Sequence, residues 1–308
     1  MEFLTDYSPK DDKWDNHRGL TDDVSNIYAS SLEYERYAQR MALCSGYLQF
    51  AELVDTSTGE LSYKLRKASF CRVRHCPVCQ WRRAMMWQAK FFQALPTIQK
   101  EYPTARWLFL TLSLANPPIK ELGETLSHMN TALNKLTKTK EFNRSIIGWI
   151  RTTEVTKEKE REGYAHPHFH VLLMVKPSYF KGDNYITHAR WIELWQRALG
   201  VTYKPNVHIK AASTDIEKGA LEVLKYAVKP ADMVANRDWF LELTKQLKKR
   251  RFIGTGGVLK DIFQEKEQTN EELIFVDGNE PPTEPEERKL GFNWISKEKR
   301  YKRVKSRE

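Results

Sequence analysis

His166-Pro167-His168-Phe169-His170-Val171-Leu172-Leu173-Met174-Val175 is the stretch whose reading decides the fold. Its second half is an apolar run of strand length, and a strand sends alternate side chains to opposite faces. His168 and His170 then stand on one face about 7 Å apart, close enough to share one metal ion, while Phe169, Val171, Leu173 and Val175 face a core. Three histidines within five residues at the mouth of such a strand point to metal binding rather than to scattered surface positions. A strand this apolar also needs neighbours on both sides, and the flanking sequence supplies them.

Upstream, Ile146 to Thr156 reads as a strand, separated from His168 to Val175 by the charged turn Lys157 to Tyr164. With the turn centred near residue 161, Glu154 falls opposite His168, at the separation of about 5 Å that directly opposed side chains have in an antiparallel pair. Glu154 is therefore the expected third ligand. Trp107 to Leu114, closed by Asn116-Pro117-Pro118, reads as a further central strand, followed by a helix from about Ile119 to Lys138. Thr187 caps a helix to Leu199, Val201 to Lys210 reads as a strand, and a helix from Thr214 or Asp215 is expected to end at Pro230. Along that helix Glu222 and Tyr226, four apart, share a face, with Lys225 and Lys229 beside them. A two-histidine, one-carboxylate site leaves positions open on a hard cation such as Mg²⁺ or Mn²⁺, which can polarise a phosphate oxygen. A phenol is a weak nucleophile, with a pKa of about 10, and needs such help together with a nearby cation.

Further upstream lies Phe70-Cys71-Arg72-Val73-Arg74-His75-Cys76-Pro77-Val78-Cys79-Gln80-Trp81-Arg82-Arg83. Cys76 and Cys79 form a Cys-x-x-Cys knuckle, Cys71 is close enough to be a third ligand, and Cys44 is the natural fourth for a structural zinc site. His75 in place of Cys44 or Cys71 is the main variant. Between Cys44 and Cys71 a hairpin is expected, Tyr47 to Leu53 and Leu61 to Leu65. Residues 61–100 hold nine Lys or Arg and no Asp or Glu, with Trp81, Trp87, Phe91 and Phe92 interleaved. Cations attract phosphates and aromatic faces stack on bases, so this is a candidate nucleic-acid surface, with Arg74, Arg82 and Arg83 as the expected contacts. Trp87 and Phe91 read as core.

The length of 308 residues accommodates one large domain or two modest ones, and the net charge of +10 favours a polyanionic partner. Four cysteines in so long a chain do not make a disulfide framework. Met1 to Asp22 is polar and lacks the apolar centre of a signal peptide, no run reaches membrane-spanning length, and a soluble intracellular protein is expected. The expected organisation is a flexible arm at 1–26, then a helix from Tyr28 to Cys44, hairpin and cysteine knuckle within a DNA-binding region at 27–104. A domain at 105–232 carrying the histidine strand follows, then a basic helical extension at 233–264 with a turn at Gly254 to Gly257, and a flexible acidic then basic tail at 265–308.

The ordered combination of Phe109-Leu110-Thr111-Leu112-Ser113, His168-Phe169-His170 and Glu222-Val223-Leu224-Lys225-Tyr226-Ala227-Val228-Lys229 resembles the HUH-endonuclease initiators of rolling-circle plasmid replication. It is most similar to the branch with a single catalytic Tyr and a Glu one turn before it, whose pattern the cysteine segment also resembles. The similarity covers roughly residues 40 to 260. It implies an α+β fold, a mainly antiparallel central sheet of RRM-like topology with flanking helices, plus a small zinc-knuckle element. It implies nicking of one strand at a plasmid double-strand origin, with Tyr226 joined to the 5′ phosphate, a free 3′-OH left for polymerase, and Glu222 serving termination. The implied cofactors are Mn or Mg at His168, His170 and Glu154 and a structural Zn. The implied partners are origin DNA, double-stranded and extruded as a single strand, host helicase and polymerase, and a second copy in a homodimer, in the bacterial cytoplasm. The alternatives are an HUH relaxase or transposase, a non-catalytic zinc-knuckle DNA-binding protein, and a metal-dependent hydrolase of small phosphoesters.

Overall fold

The computed structural model describes residues 2–55, 57–212, 216–224, 228–260, 269–276 and 288–304. The chain divides into two compact units, Met1–Ala89 with Lys266–Glu308, and Lys90–Glu265.

In the first unit, α1 (Leu4–Tyr7) and α2 (Asp12–Ala29) lead into α3 (Glu35–Ala42), strands β1 (Tyr47–Val54) and β2 (Leu61–Ala68), and the start of α4 (Pro77–Glu101). The segment expected to be a loose arm is thus helical. Trp14, Arg18, Thr21, Val24, Ser25 and Tyr28 are buried along α2 at helical spacing. The stripe is half polar, so hydropathy does not reveal it. Arg18 is buried because its guanidinium lies over the Trp294 ring, bonds Asp22 and donates to the Ala42 carbonyl. The helix expected from Tyr28 to Cys44 is instead broken at Ser30 and Ser31, where Ser31 is extended (φ −133°, ψ 121°). Leu32 and Leu43, two apolar residues of that span, are 94% and 77% exposed.

The hairpin forms as expected, and Asp55 Oδ1 accepts the amides of Ser57 and Thr58 to close its turn. The expected flexible tail, in contrast, supplies two strands, β8 (Arg288–Ile295) and β9 (Arg300–Arg303). They extend the sheet to the order β2-β1-β8-β9. Leu290 and Phe292 pair with Phe50 and Leu48, which gives the tail a buried face, and the buried Tyr301 hydroxyl donates to the Ser45 carbonyl at 2.6 Å. A short helix, α11 (Asn270–Ile274), precedes them.

The second unit holds β3 (Arg106–Ser113), α5 (Leu122–Leu136), α6 (Lys140–Ser145), β4 (Ile146–Lys157), β5 (Ala165–Val175), α7 (His188–Leu199), β6 (Val207–Ala211), α8 (Ile216–Val223), α9 (Pro230–Ala235), α10 (Arg237–Gln246) and β7 (Ile253–Gly257). Its sheet is antiparallel throughout, in the order β6-β3-β5-β4-β7. Residues Val171 to Val175 are buried without alternation, because β5 is central and covered on both faces. Leu172 and Met174, on the histidine face, are buried as fully as Leu173. α8 lies over that face, where a Cβ on Gly219 would sit 2.1 Å from the Phe109 ring, so only glycine permits this approach. The glycine-rich stretch expected as a turn is the edge strand β7: a Cβ at Gly256 would fall 2.4 Å from Trp149, so the small residues serve packing as well as bending.

Candidate metal centres

The β4–β5 register sets Glu154 opposite His168, as the centre of the turn implies, and the antiparallel pairing continues to Lys157 opposite Ala165. Glu154 Oε2 lies 3.0 Å from His168 Nε2 and 2.8 Å from His170 Nε2. One candidate ligand atom from each residue lies within 4.8 Å of the others. Each imidazole is also held by its second nitrogen. His168 Nδ1 lies 3.3 Å from the His166 carbonyl, which can only accept, and His170 Nδ1 lies 3.5 Å from Thr111 Oγ1. A proton on His168 Nδ1 leaves Nε2 as the ligating end, the arrangement seen around metal-bound histidines. Burial pushes the Glu154 carboxyl up, but its contacts with the His168 and His170 imidazoles outweigh it and hold the group well below the ordinary carboxylate range. Two imidazoles and one ionised carboxylate converging on one point fit a divalent cation.

The surroundings of Glu154 come from farther along the chain. Lys229, 62% exposed, places Nζ 3.9 Å from Glu154 Oε1. Thr152 Oγ1 donates to the Val223 carbonyl at the end of α8 (2.7 Å), and Val155 forms a parallel bridge with Val228. Val223 and Val228 are thereby tied to β4 on either side of Glu154. Lys225 and Tyr226 lie between them in the chain, outside the described residues. α8 ends at Val223, and Lys229 is extended (φ −68°, ψ 130°), as the residue before a proline tends to be. With Val228 in a bridge to β4, the helix expected to run unbroken to Pro230 is interrupted, and the face expected to join Glu222 and Tyr226 falls partly on Tyr226, outside the described residues. Glu222 is exposed near the end of α8.

In the other unit Cys44, Cys71, Cys76 and Cys79 come together, all buried and none in a disulfide. His75 is not in the cluster. The Sγ pairs Cys44–Cys79, Cys71–Cys79 and Cys44–Cys76 are each separated by 3.6 Å. A tetrahedron with Zn–S bonds of about 2.3 Å has edges of about 3.8 Å, so the four sulfurs are spaced for such an ion. Burial raises the Cys76 thiol, yet hydrogen bonds from Cys44, Cys71 and Cys79 outweigh it and hold Cys76 well below the usual thiol value. Thr21 of α2, which carried no sequence signal, adds an outer contact: its Oγ1 lies 3.6 Å from Cys76 Sγ and accepts the Val78 amide.

Of the three expected DNA contacts, Arg74 and Arg83 are half-buried, and Arg82 is committed elsewhere. Arg82 is 5% exposed, sits over the rings of Trp14 and Trp81, and donates to the carbonyls of Leu273 and Ile274 at 2.8 Å. It is a structural clamp on α11, because two aromatic faces and two carbonyl acceptors stabilise a buried guanidinium. Sequence reading had no means to separate it from Arg83.

The family model described as replication protein (Rep_1) matches residues 62–302. The chain is 35% identical to "Protein rep" of Streptococcus pneumoniae serotype 2 over 270 residues, 85% of this chain and 82% of that protein. It is 37% identical to "Protein rep" of Lactiplantibacillus plantarum, covering 81% of each. A "Replication protein" of Staphylococcus aureus is 34% identical over 60% of this chain and 85% of its own length. No solved structure matches significantly.

Proposed function

The chain belongs to the Rep_1 family of replication proteins, and from that premise we propose that it initiates rolling-circle plasmid replication by nicking one strand of the origin. The observation that carries this reading is the convergence of Glu154, His168 and His170 on one point, with the chain on both sides of Tyr226 anchored to β4 around Glu154. The order β6-β3-β5-β4, reached along the chain as β3, α5, β4, β5, α7, β6, supports the RRM-like, HUH-type reading of the sheet.

A Mn or Mg ion held by the three residues would supply polarisation of a non-bridging oxygen on the scissile phosphate. The Tyr226 phenol, giving up its proton, forms a bond to phosphorus. The bond to the 3′ oxygen breaks, and that oxygen takes up a proton to leave a 3′-OH while the 5′ phosphate stays on Tyr226. Lys229, beside Glu154, offsets negative charge developing on the phosphate. Glu222, exposed near the end of α8, acts later as base for water or an incoming strand at termination. Zinc on the four cysteines holds the first unit together, and the basic segment with Arg74 and Arg83 contacts duplex origin DNA, extruded to expose a single strand. Host helicase and polymerase, a homodimer and the cytoplasm complete the reading. Among the described residues no helix is long and apolar enough to cross a membrane.

Incubation of the full chain with supercoiled origin plasmid and Mn²⁺ tests the proposal. Wild type should yield nicked DNA and a denaturation-resistant protein–DNA adduct, and Tyr226→Phe should yield neither. Glu222→Ala should still nick and form the adduct but give products longer than unit length. A Tyr226→Phe protein that nicks normally would refute the assignment of the nucleophile, and a Glu222→Ala protein that loses nicking as completely would move Glu222 into the first step.

A further inference from the structure

Ile146 pairs with Val175, and the Lys176 amide donates to the Ser145 carbonyl, so residues 138–145 and 176–186 lie together at one end of the β4–β5 pair. Glu154 and His168 lie toward the other end. From His168 along β5 to Lys176, just past its end, is eight residue steps, a run of about 26 Å. At this far end two large aromatic side chains face solvent, Phe180 (45% exposed) and Tyr185 (52%).

The loop bearing them is held firmly. Tyr179, buried between them, meets Phe180 edge-on at a centroid distance of 5.1 Å and Tyr185 at 5.6 Å. Its hydroxyl donates to the Ile186 carbonyl and accepts from Trp191 Nε1. Arg144 donates to the Asp183 carbonyl, and Ser145 Oγ to that of Asn184. Exposed rings on so well-tied a loop have little conformational freedom left to lose on binding. The charge around them is positive: the two segments hold five Lys or Arg against two Asp or Glu, and Glu141 is already paired with Arg190. Lys138, Lys140, Arg144, Lys176 and Lys181 are all exposed.

We propose that this end of the sheet is a stacking platform for single-stranded DNA, on which Phe180 and Tyr185 take unpaired bases and Lys176 and Lys181 take phosphates. Aromatic faces with flanking cations are the chemistry that holds single strands without reading their sequence. The platform deepens the replication reading, and rests on it, by giving the strand that passes through the nicking site a second hold about 26 Å away.

The test measures binding of the full chain to oligothymidylates of about 6 and about 20 nucleotides, alongside a duplex of the longer length. Wild type should gain affinity on the longer single strand. The double variant Phe180→Ala/Tyr185→Ala should lose about tenfold or more of that gain. Its affinity for the short strand and its melting temperature should match wild type. Tyr185→Phe should keep the gain. Lys176→Ala/Lys181→Ala should lower the salt dependence by about 0.7 in slope per phosphate contact removed. The platform is refuted if the aromatic double variant binds the long strand like wild type, if it loses affinity equally for both lengths, or if the gain appears with duplex alone. A wild-type protein that binds no DNA would instead sink the replication reading, and the platform with it.

Discussion

The two candidate metal centres are built on opposite plans. Cys44, Cys71, Cys76 and Cys79 are between 0% and 8% exposed and come from a helix end, a loop and the start of α4, spread over 36 residues of chain. Glu154, His168 and His170 come from two adjacent strands, and the His170 and Glu154 side chains keep 20% and 14% of their surface open. Four thiolates close a tetrahedron and leave no room for substrate, whereas two nitrogens and one carboxylate leave coordination positions free. On the proposed reading the closed centre serves folding and the open one serves chemistry, with the β4–β5 ladder setting the register of the open one.

That contrast breaks first if Cys76→Ser leaves the protein intact. Binding of a structural zinc contributes on the order of 10 kcal/mol to folding in small zinc domains, so this change should abolish cooperative unfolding of the first unit and release about one zinc per chain, read by calorimetry and metal analysis. Full retention of zinc or of the melting transition would show that the cysteines are merely packed.

At the open centre the effect should fall on activity alone. His168→Ala or His170→Ala should lower nicking by at least about 100-fold while duplex binding and the melting temperature hold, because the ligand meets the reacting phosphate and binding rests on Lys and Arg. Glu154→Ala should weaken Mn²⁺ binding, measured by titration calorimetry. Unchanged nicking at limiting metal would remove the triad from the reaction.

Thr21→Val sharpens the comparison at the closed centre. Loss of the Oγ1 contacts to Cys76 and Val78 should weaken zinc about 10-fold in a chelator competition, the usual size of an outer-contact effect, with nicking unchanged at saturating zinc. Wild-type zinc retention would assign Thr21 to α2 packing alone.

The smallest effect expected is a pH dependence. His17 stacks on Trp81 at 4.7 Å, and burial pushes it down to about 4. The unfolded chain, with its histidine near 6.5, binds the proton first, so His17 costs stability as pH falls from about 6.5 toward 4 and nothing above that window. His17→Phe should flatten the dependence of melting temperature on pH there; an unchanged slope would exclude His17 as its source.

Much of the second unit was legible in the residues. Alternation in His166 to Val175, the apolar run at Trp107 and the charged turn near residue 161 determined the antiparallel pairing and the Glu154–His168 register, because strand period and turn centre are local properties. The Cys-x-x-Cys spacing identified two members of the cysteine cluster for the same reason. What lay beyond local pattern was settled by long-range packing. Arg82 reads as a phosphate contact until Trp14, Trp81 and the α11 carbonyls surround it. Residues 1–26 read as an arm because the buried stripe of α2 is half polar, and the tail reads as flexible because β8 has no long-range partner until β1, about 240 residues earlier, pairs with it, and β9 in turn pairs with β8. The break after Val223 and the bridge from Val155 to Val228 depend on β4 being present, so helical spacing alone could not foresee them. Sequence determined the members of the two side-chain clusters, whose chemistry resides in single residues. Tertiary structure decided that Arg82 is a clamp, since burial is a property of neighbours brought together only by folding.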